Sequence, residues 1–308
     1  MNQLGDLLFS LPVLSAARKE LPEARIYSVA RAEYIPLIEA TGLVDSLITR
    51  GRGSVAGKIR EVAKIRKEGI NTGVFFSESP ECLLMGFAGG IKERIGFSSA
   101  SLSFLLTAKV ERSGVPSLAN NKRLGQKAGL KNIPADYKGL LKIPAKAAEE
   151  AVNWLKENGI EAVKYAVIAP GASKKRRNKY WAAEKWERLA GNIIDRGLTP
   201  IFSGAPGEGD ELESLAAGLN GKAKVFVSES GILQFAALIQ KADIFIGIDS
   251  GAMHLAASLG ARVVALFGRT DPRQVGPMPL ENHSVIKKDS MESISTEEVW
   301  EKVSKIIA

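Results

Sequence analysis

Residues 242–277 read ADIFIGIDSGAMHLAASLGARVVALFGRTDPRQVGP, and this stretch decides the fold class. Ile244 to Ile248 is a short, uncharged, Ile-rich run, which predicts a strand buried on both faces. Asp249-Ser250-Gly251 breaks the run, and the Ala-rich segment from about Ala252 to Leu259 has the composition of a helix. Val263 to Phe267 repeats the strand pattern and ends in Gly268-Arg269-Thr270-Asp271-Pro272. A strand, a helix and a second strand joined this closely predict a parallel sheet, with both turns on the edge made by the strands' carboxyl ends.

Open α/β sheets hold their ligands on that edge, where a helix N-terminus offers free N–H groups and a positive dipole. A diphosphate would be stabilised there. Gly251 lets the backbone approach closely, and Ser250 adds a hydroxyl donor. Asp249 should avoid the phosphates, because two anions in contact repel. A sugar or ribose hydroxyl, or a backbone N–H, is its expected partner. His254 falls in the first helical turn and is placed to reach the same cleft. Taken singly, such residues are more often structural than functional, Asp249 as a helix N-cap and His254 as a packed core residue. Two loops converging on one sheet edge favour a site.

The same alternation extends outward. Ile26 to Ala30, Thr72 to Phe76, Tyr165 to Ala169, Thr199 to Ser203, Lys224 to Val227 and Ser284 to Ile286 read as further strands. Ala182 to Arg196 reads as a helix with Trp186, Leu189, Ala190, Ile193 and Ile194 on one stripe, and Thr296 to Ile307 as a closing helix. Between about Gly114 and Lys146 the pattern weakens around Pro116, Pro134 and Pro144, which reads as a linker. The 308 residues exceed one ordinary core, so two Rossmann-like domains are expected, 1–145 and 146–308. Leu4-Gly5-Asp6 reads as a strand-to-helix turn leading into an internal helix over Leu7 to Ala17. Almost no residues precede it, so the first strand of the N-terminal domain is apparently missing.

Composition narrows the function classes. With 45% hydrophobic and 25% charged residues the chain is globular rather than disordered or fibrous. One cysteine, Cys82, excludes an intrachain disulfide framework and a Cys-rich zinc site, and two histidines argue against His-based metal chemistry. A net charge of +8 favours anionic partners. The basic run Lys174-Lys175-Arg176-Arg177 fits acceptor phosphates or anionic lipid, although a solvated loop is the commoner meaning. It carries no interleaved aromatics and no nucleic-acid reading motif, so no nucleic-acid partner is expected. No apolar run reaches the length of a membrane span, which restricts membrane contact to the periphery.

The run Asp249-Ser250-Gly251-Ala252-Met253-His254-Leu255-Ala256-Ala257, followed by Leu266-Phe267-Gly268 and Thr270-Asp271-Pro272, resembles the donor-site signature of the lipopolysaccharide heptosyltransferases, glycosyltransferase family 9. Pro170-Gly171-Ala172-Ser173 with Lys179-Tyr180-Trp181 resembles the family's loop and K-x-W segment, which implies that Ser173 contacts phosphate and Lys179 donor phosphate or ribose. Gly204-Ala205-Pro206 precedes the position of an acidic nucleotide contact, for which both Glu208 and Glu211 are candidates. Leu4-Gly5-Asp6 with Pro12 resembles the N-terminal Gly-Asp turn, which implies that Asp6 is the catalytic base. In the family a strand precedes that turn.

The resemblance implies a GT-B type α/β fold, two facing Rossmann-like domains with parallel sheets. It implies an enzyme for hexosyl or heptosyl transfer: an inverting glycosyltransferase moving a heptose or related sugar from an ADP-activated donor to a lipopolysaccharide core or similar glycan. The nucleotide sugar is then a substrate and no cofactor is expected. No Asp-x-Asp pair offers a metal clamp for the diphosphate, so transfer is expected to be metal-independent. Such a protein is expected in the cytoplasm, peripheral on the cytoplasmic face of the inner membrane. The competing readings are a sugar-nucleotide epimerase or hydrolase of the same shape, and an inert nucleotide-sugar-binding protein.

Overall fold

The computed structural model describes residues 3–50, 54–114, 116–160, 164–171, 179–227 and 231–308. The chain divides into two compact units, Met1–Leu140 and Leu141–Ala308, against the boundary at 145 read from the sequence.

The second unit is built on a six-stranded, wholly parallel sheet of order β11-β10-β9-β6-β7-β8. Its strands are β6 (Tyr165–Ala169), β7 (Thr199–Gly204), β8 (Lys224–Val227), β9 (Ile244–Ile248), β10 (Val263–Phe267) and β11 (Ser284–Lys287). Every residue of β6, β9 and β10 is buried. Central parallel strands are covered by helices on both faces, which is why these segments are near-continuous apolar runs. On α7 (Ala183–Asp195), Trp186, Leu189, Ala190 and Ile193 of the predicted stripe are buried, and Ile194 at its margin is half-buried. The closing helix α12 (Thr296–Ile307) lies against α7 and β9–β11 with Val299 and Val303 fully buried. A capping box fixes its start: Glu298 N–H donates to Ser295 Oγ at 3.2 Å, and Ser295 N–H to the Glu298 carboxylate at 3.1 Å.

The first unit opens with α1 (Leu4–Glu20), which runs through Pro12 and is buried at every residue from Leu7 to Ala16. Its apolar surface is not confined to one stripe, as befits a helix enclosed on all sides. The strands are β1 (Tyr27–Arg31), β2 (Ser46–Arg50), β3 (Thr72–Phe75), β4 (Glu93–Phe97) and β5 (Ala108–Val110), all paired in parallel. They form two sheets, β1-β2 and β3-β4-β5. Among the described residues no strand precedes α1, and β1 and β3 are each paired on one side only. In the second unit the equivalent pair, β7 and β9, is joined through β6. Val29 of β1, Ile48 of β2 and Phe75 of β3 nevertheless share one apolar cluster, so common packing holds the two sheets together.

The stretch read as a linker is ordered. It contains α5 (Ser117–Lys127), packed on α1, and ends at α6 (Ala145–Glu157). Pro116 and Pro144 are the N-caps of these two helices. Two of the three prolines that read as breakers are thus helix starts, because a fixed φ suits the entry to a helix.

Candidate functional site

Sheet order reverses between β6 and β9. From β6 the chain moves outward through β7 to β8, and from β9 the other way through β10 to β11. The two first turns therefore diverge and leave a crevice at the carboxyl ends of β6 and β9, the topological switch point. Ala169 of β6 is in register with Gly247 of β9, so Gly171 and Asp249 emerge side by side. The Asp249 N–H donates to Leu266 O of β10 at 3.1 Å, which ties this turn to the next strand.

At that edge α10 begins. It spans Gly251–Ser258 with Ser250 as N-cap. Its first N–H groups have no carbonyl one turn earlier to bond. Ser250 makes no side-chain capping bond, and its Oγ is buried with no hydrogen-bond partner among the described residues. A buried hydroxyl left unpaired costs about 1–3 kcal/mol unless something bonds it. Asp249 does not cap the helix either. Its carboxylate forms a close ion pair with Lys179 Nζ, which also donates to the Asp249 carbonyl at 3.2 Å. The two side chains are only 14% and 10% exposed, so the pair is largely shielded from water.

Lys179 is held in place from two residues away. Trp181 is buried, donates its Nε1–H to Ile294 O at 2.9 Å, and meets Trp186 edge-on with ring centroids 4.7 Å apart. Lys185 adds donations to the Glu292 and Ile294 carbonyls, both at 2.7 Å. The segment that delivers Lys179 is thereby pinned to the chain just ahead of α12.

Glu208 sits on the same edge. Its carboxylate accepts from Ala205 N–H at 2.8 Å. A Cβ built on Gly171 would come within 2.9–3.1 Å of that carboxylate, and one on Gly204 would collide with it. Glycine at both positions makes room for an acid at the carboxyl ends of β6 and β7. Glu211 lies a turn further along α8 (Gly209–Ala217) and lines a cavity of about 200 Å³ with Pro170, Tyr180, Trp186 and Ser214. Of the two acids left open by the sequence, Glu208 is the one whose carboxylate lies against the turns at Gly171 and Gly204.

His254 is buried, 4% exposed, one turn into α10. Burial pulls its pKa down to about 4; the Asp249 carboxylate opposes this and the Lys179 ammonium adds to it. It is a neutral imidazole at pH 7, close enough to feel both members of the ion pair. Asp6 is exposed in the first turn of α1, in the other unit. Ser173 and the basic run from Lys174 lie outside the described residues. Among the described residues no group of three His, Cys, Asp or Glu side chains is placed to hold a metal ion, and no helix is long and apolar enough to cross a membrane.

The sequence profile of glycosyltransferase family 9 (heptosyltransferase) matches residues 84–303, which include every one of these switch-point residues. The chain belongs to glycosyltransferase family 9. Lipopolysaccharide heptosyltransferase 1 of Escherichia coli K12 is 28% identical over 160 residues, 51% of this chain and 48% of that protein. The match thus spans about half the length of that relative. Lipopolysaccharide heptosyltransferase 3 of the same strain is 24% identical over 293 residues, 88% of this chain and 81% of that protein. Among solved structures, E. coli ADP-heptose LPS heptosyltransferase II superposes with a TM-score of 0.85 at 19% identity, covering 100% of this chain and 96% of that one. The fold is thus the α/β, GT-B type with parallel sheets that the sequence pointed to. Within this family 9 chain, the pairing of Lys179 with Asp249 and the anchoring of Trp181 on Ile294 carried no local signal in the sequence, since the partners stand 70 and 113 residues apart.

Proposed function

We propose that this chain is an inverting, metal-independent glycosyltransferase that moves a heptose or related sugar from an ADP-activated donor to a lipopolysaccharide core or similar glycan. The observation that carries the donor assignment is the unpartnered, buried Ser250 hydroxyl at the open N-terminus of α10, beside the Lys179–Asp249 pair. The cluster offers a hydroxyl donor, orphan N–H groups and an ammonium on one side, which complements a diphosphate. Family membership supports the sugar-transfer chemistry, and the ADP-heptose named for the E. coli heptosyltransferase II structure supports the donor.

In this reading the diphosphate lies on Ser250, Gly251 and Lys179, with Ser173 adding a further donor. Glu208 accepts from a ribose hydroxyl. Asp249 positions Lys179 and accepts from a sugar hydroxyl. Asp6 takes the proton of the acceptor hydroxyl as that oxygen bonds to the anomeric carbon. The bond from that carbon to the phosphate oxygen breaks on the opposite face, which inverts the centre, and ADP departs with its new charge met by the α10 terminus. His254, being neutral, adds no second cation behind α10, so the positive charge offered to the diphosphate is that of Lys179. A nucleotide-sugar substrate and a lipid-linked acceptor place the work on the cytoplasmic face of a membrane.

The test is incubation of the purified protein with ADP-heptose and truncated lipopolysaccharide cores, followed by mass spectrometry of the glycan. A heptose increment, abolished by Asp6→Ala while ADP affinity stays within about twofold, is expected. ADP-heptose consumed without any glycan increment points to a hydrolase and overturns the reading.

A further inference from the structure

The exposed large apolar side chains of the described residues all lie between residues 21 and 104, in the first unit. Val55 and Ile59 are on α3 (Val55–Glu68), Leu84 and Phe87 on α4 (Pro80–Ala88), and Phe104 in a 3-10 turn over Ser103–Leu105. These five are 52–73% exposed. The three elements form one continuous face. Lys58 at the start of α3 pairs with Glu81 at the start of α4 at 3.4 Å, and Arg66 near the end of α3 donates to Ala88 O at the end of α4 at 2.7 Å. The two helices therefore lie side by side, joined at both ends. Arg94 bridges α4 to the turn: its guanidinium stacks 5.4 Å from the Phe87 ring centroid, and its Nε donates to Leu105 O at 2.6 Å.

Charge around this face is predominantly positive. Arg60, Lys64, Arg66, Lys67 and Lys92 are exposed and, with Arg94, make no ion pair among the described residues. The acids of the same elements are engaged or withdrawn: Glu81 pairs with Arg50 and Lys58, Glu68 with Arg25 and Tyr27, Glu93 with Thr72, and Glu61 is buried. Of these cations, Lys64 donates to Leu47 O at 2.8 Å and Arg60 to Ala56 O at 3.3 Å, bonds to neutral carbonyls that leave their charge uncompensated. Exposed apolar side chains ringed by such cations fit an interface that is apolar inside and anionic at its surface.

We propose that the outer face of α3, α4 and the Ser103–Leu105 turn docks the protein on an anionic phospholipid bilayer. Phe87, Phe104, Leu84 and Ile59 enter the headgroup boundary, while Arg60, Lys64 and Lys67 meet lipid phosphates. The surface deepens the function proposed above and rests on it for its purpose, since a lipid-linked acceptor presents its glycan at such a boundary. Its test is independent of that chemistry.

Flotation with phosphatidylcholine vesicles, with and without phosphatidylglycerol and free of any glycan acceptor, measures docking alone. The full chain should float with the phosphatidylglycerol vesicles, weakly or not at all with phosphatidylcholine, and less as salt rises. Combined Arg60→Gln, Lys64→Gln and Lys67→Gln should weaken binding about a hundredfold at low salt. Combined Phe87→Ser and Phe104→Ser should weaken it at least tenfold, with circular dichroism and ADP affinity unchanged because both rings are exposed. Equal binding to both vesicle types, or binding untouched by either variant, overturns the proposal. So does a concentration-dependent dimer, seen by light scattering and abolished by Phe87→Ser with Phe104→Ser, because a second copy would then own the face.

Discussion

Lys179 Nζ is shared between the carboxylate and the backbone carbonyl of Asp249, so one ammonium closes the turn that follows β9 and stands at the mouth of α10. The pair has two consequences. It fixes the turn that leads into α10, and in the proposed reading the same ammonium meets the donor diphosphate.

Removing one partner of a largely shielded pair leaves the other charge uncompensated, at a cost of about 3 kcal/mol. Lys179→Met should lower unfolding stability by about that amount and weaken ADP binding at least tenfold. Adding Asp249→Asn to it should recover part of the stability and none of the ADP affinity. Urea titration and calorimetry read both, and stability losses that simply add across the two substitutions would show that the side chains are not coupled.

The His254 imidazole makes stability depend on pH. Its folded pKa of about 4 lies below the ordinary 6.5. As pH falls from 6.5 toward 4 the unfolded chain takes up a proton that the folded one refuses. Stability should therefore decline across that window by on the order of 3 kcal/mol and lose nothing from this source above it. In a His254→Gln variant this part of the slope disappears. An unchanged slope in the variant would place the responsible group elsewhere.

Gly171 separates positioning from folding. A Cβ there meets the end of the Glu208 side chain rather than backbone. Gly171→Ala should therefore cost less than about 1 kcal/mol in stability, because a flexible carboxylate can move aside. It should nevertheless weaken ADP affinity, to the same level as Glu208→Gln. Full affinity in Gly171→Ala would mean that the carboxylate is not needed where it sits.

Ser295 caps α12 by the reciprocal bonds with Glu298. Ser295→Ala should destabilise the second unit by about 1 kcal/mol and leave ADP binding alone. Thermal denaturation with and without ADP checks this, and a ligand-dependent difference between variant and parent would be unexpected.

Local chemistry explains which elements the sequence revealed. β6, β9 and β10 were legible because a strand covered on both faces must be apolar throughout, and their observed bounds coincide with the apolar runs. β2 (SLITR), β4 (ERIGF) and the three-residue β5 were missed, since mixed polarity and shortness leave no periodic signal. α5 was hidden for another reason. Pro116 at its N-cap reads as a breaker, and only packing against α1 distinguishes a helix start from a loop.

The amino-acid order by itself determined the parallel α/β class, the turn at Asp249-Ser250-Gly251 and the motif that marks family 9. These follow from spacing between near neighbours, which any chain of this sequence carries. Only the tertiary structure decided that Lys179 neutralises Asp249, that the Glu208 carboxylate lies against Gly171 and Gly204, and that the Ser250 hydroxyl is buried with no partner among the described residues. Those are contacts between strands and loops distant in the chain, and they exist only once sheet order brings the carboxyl ends of β6 and β9 together.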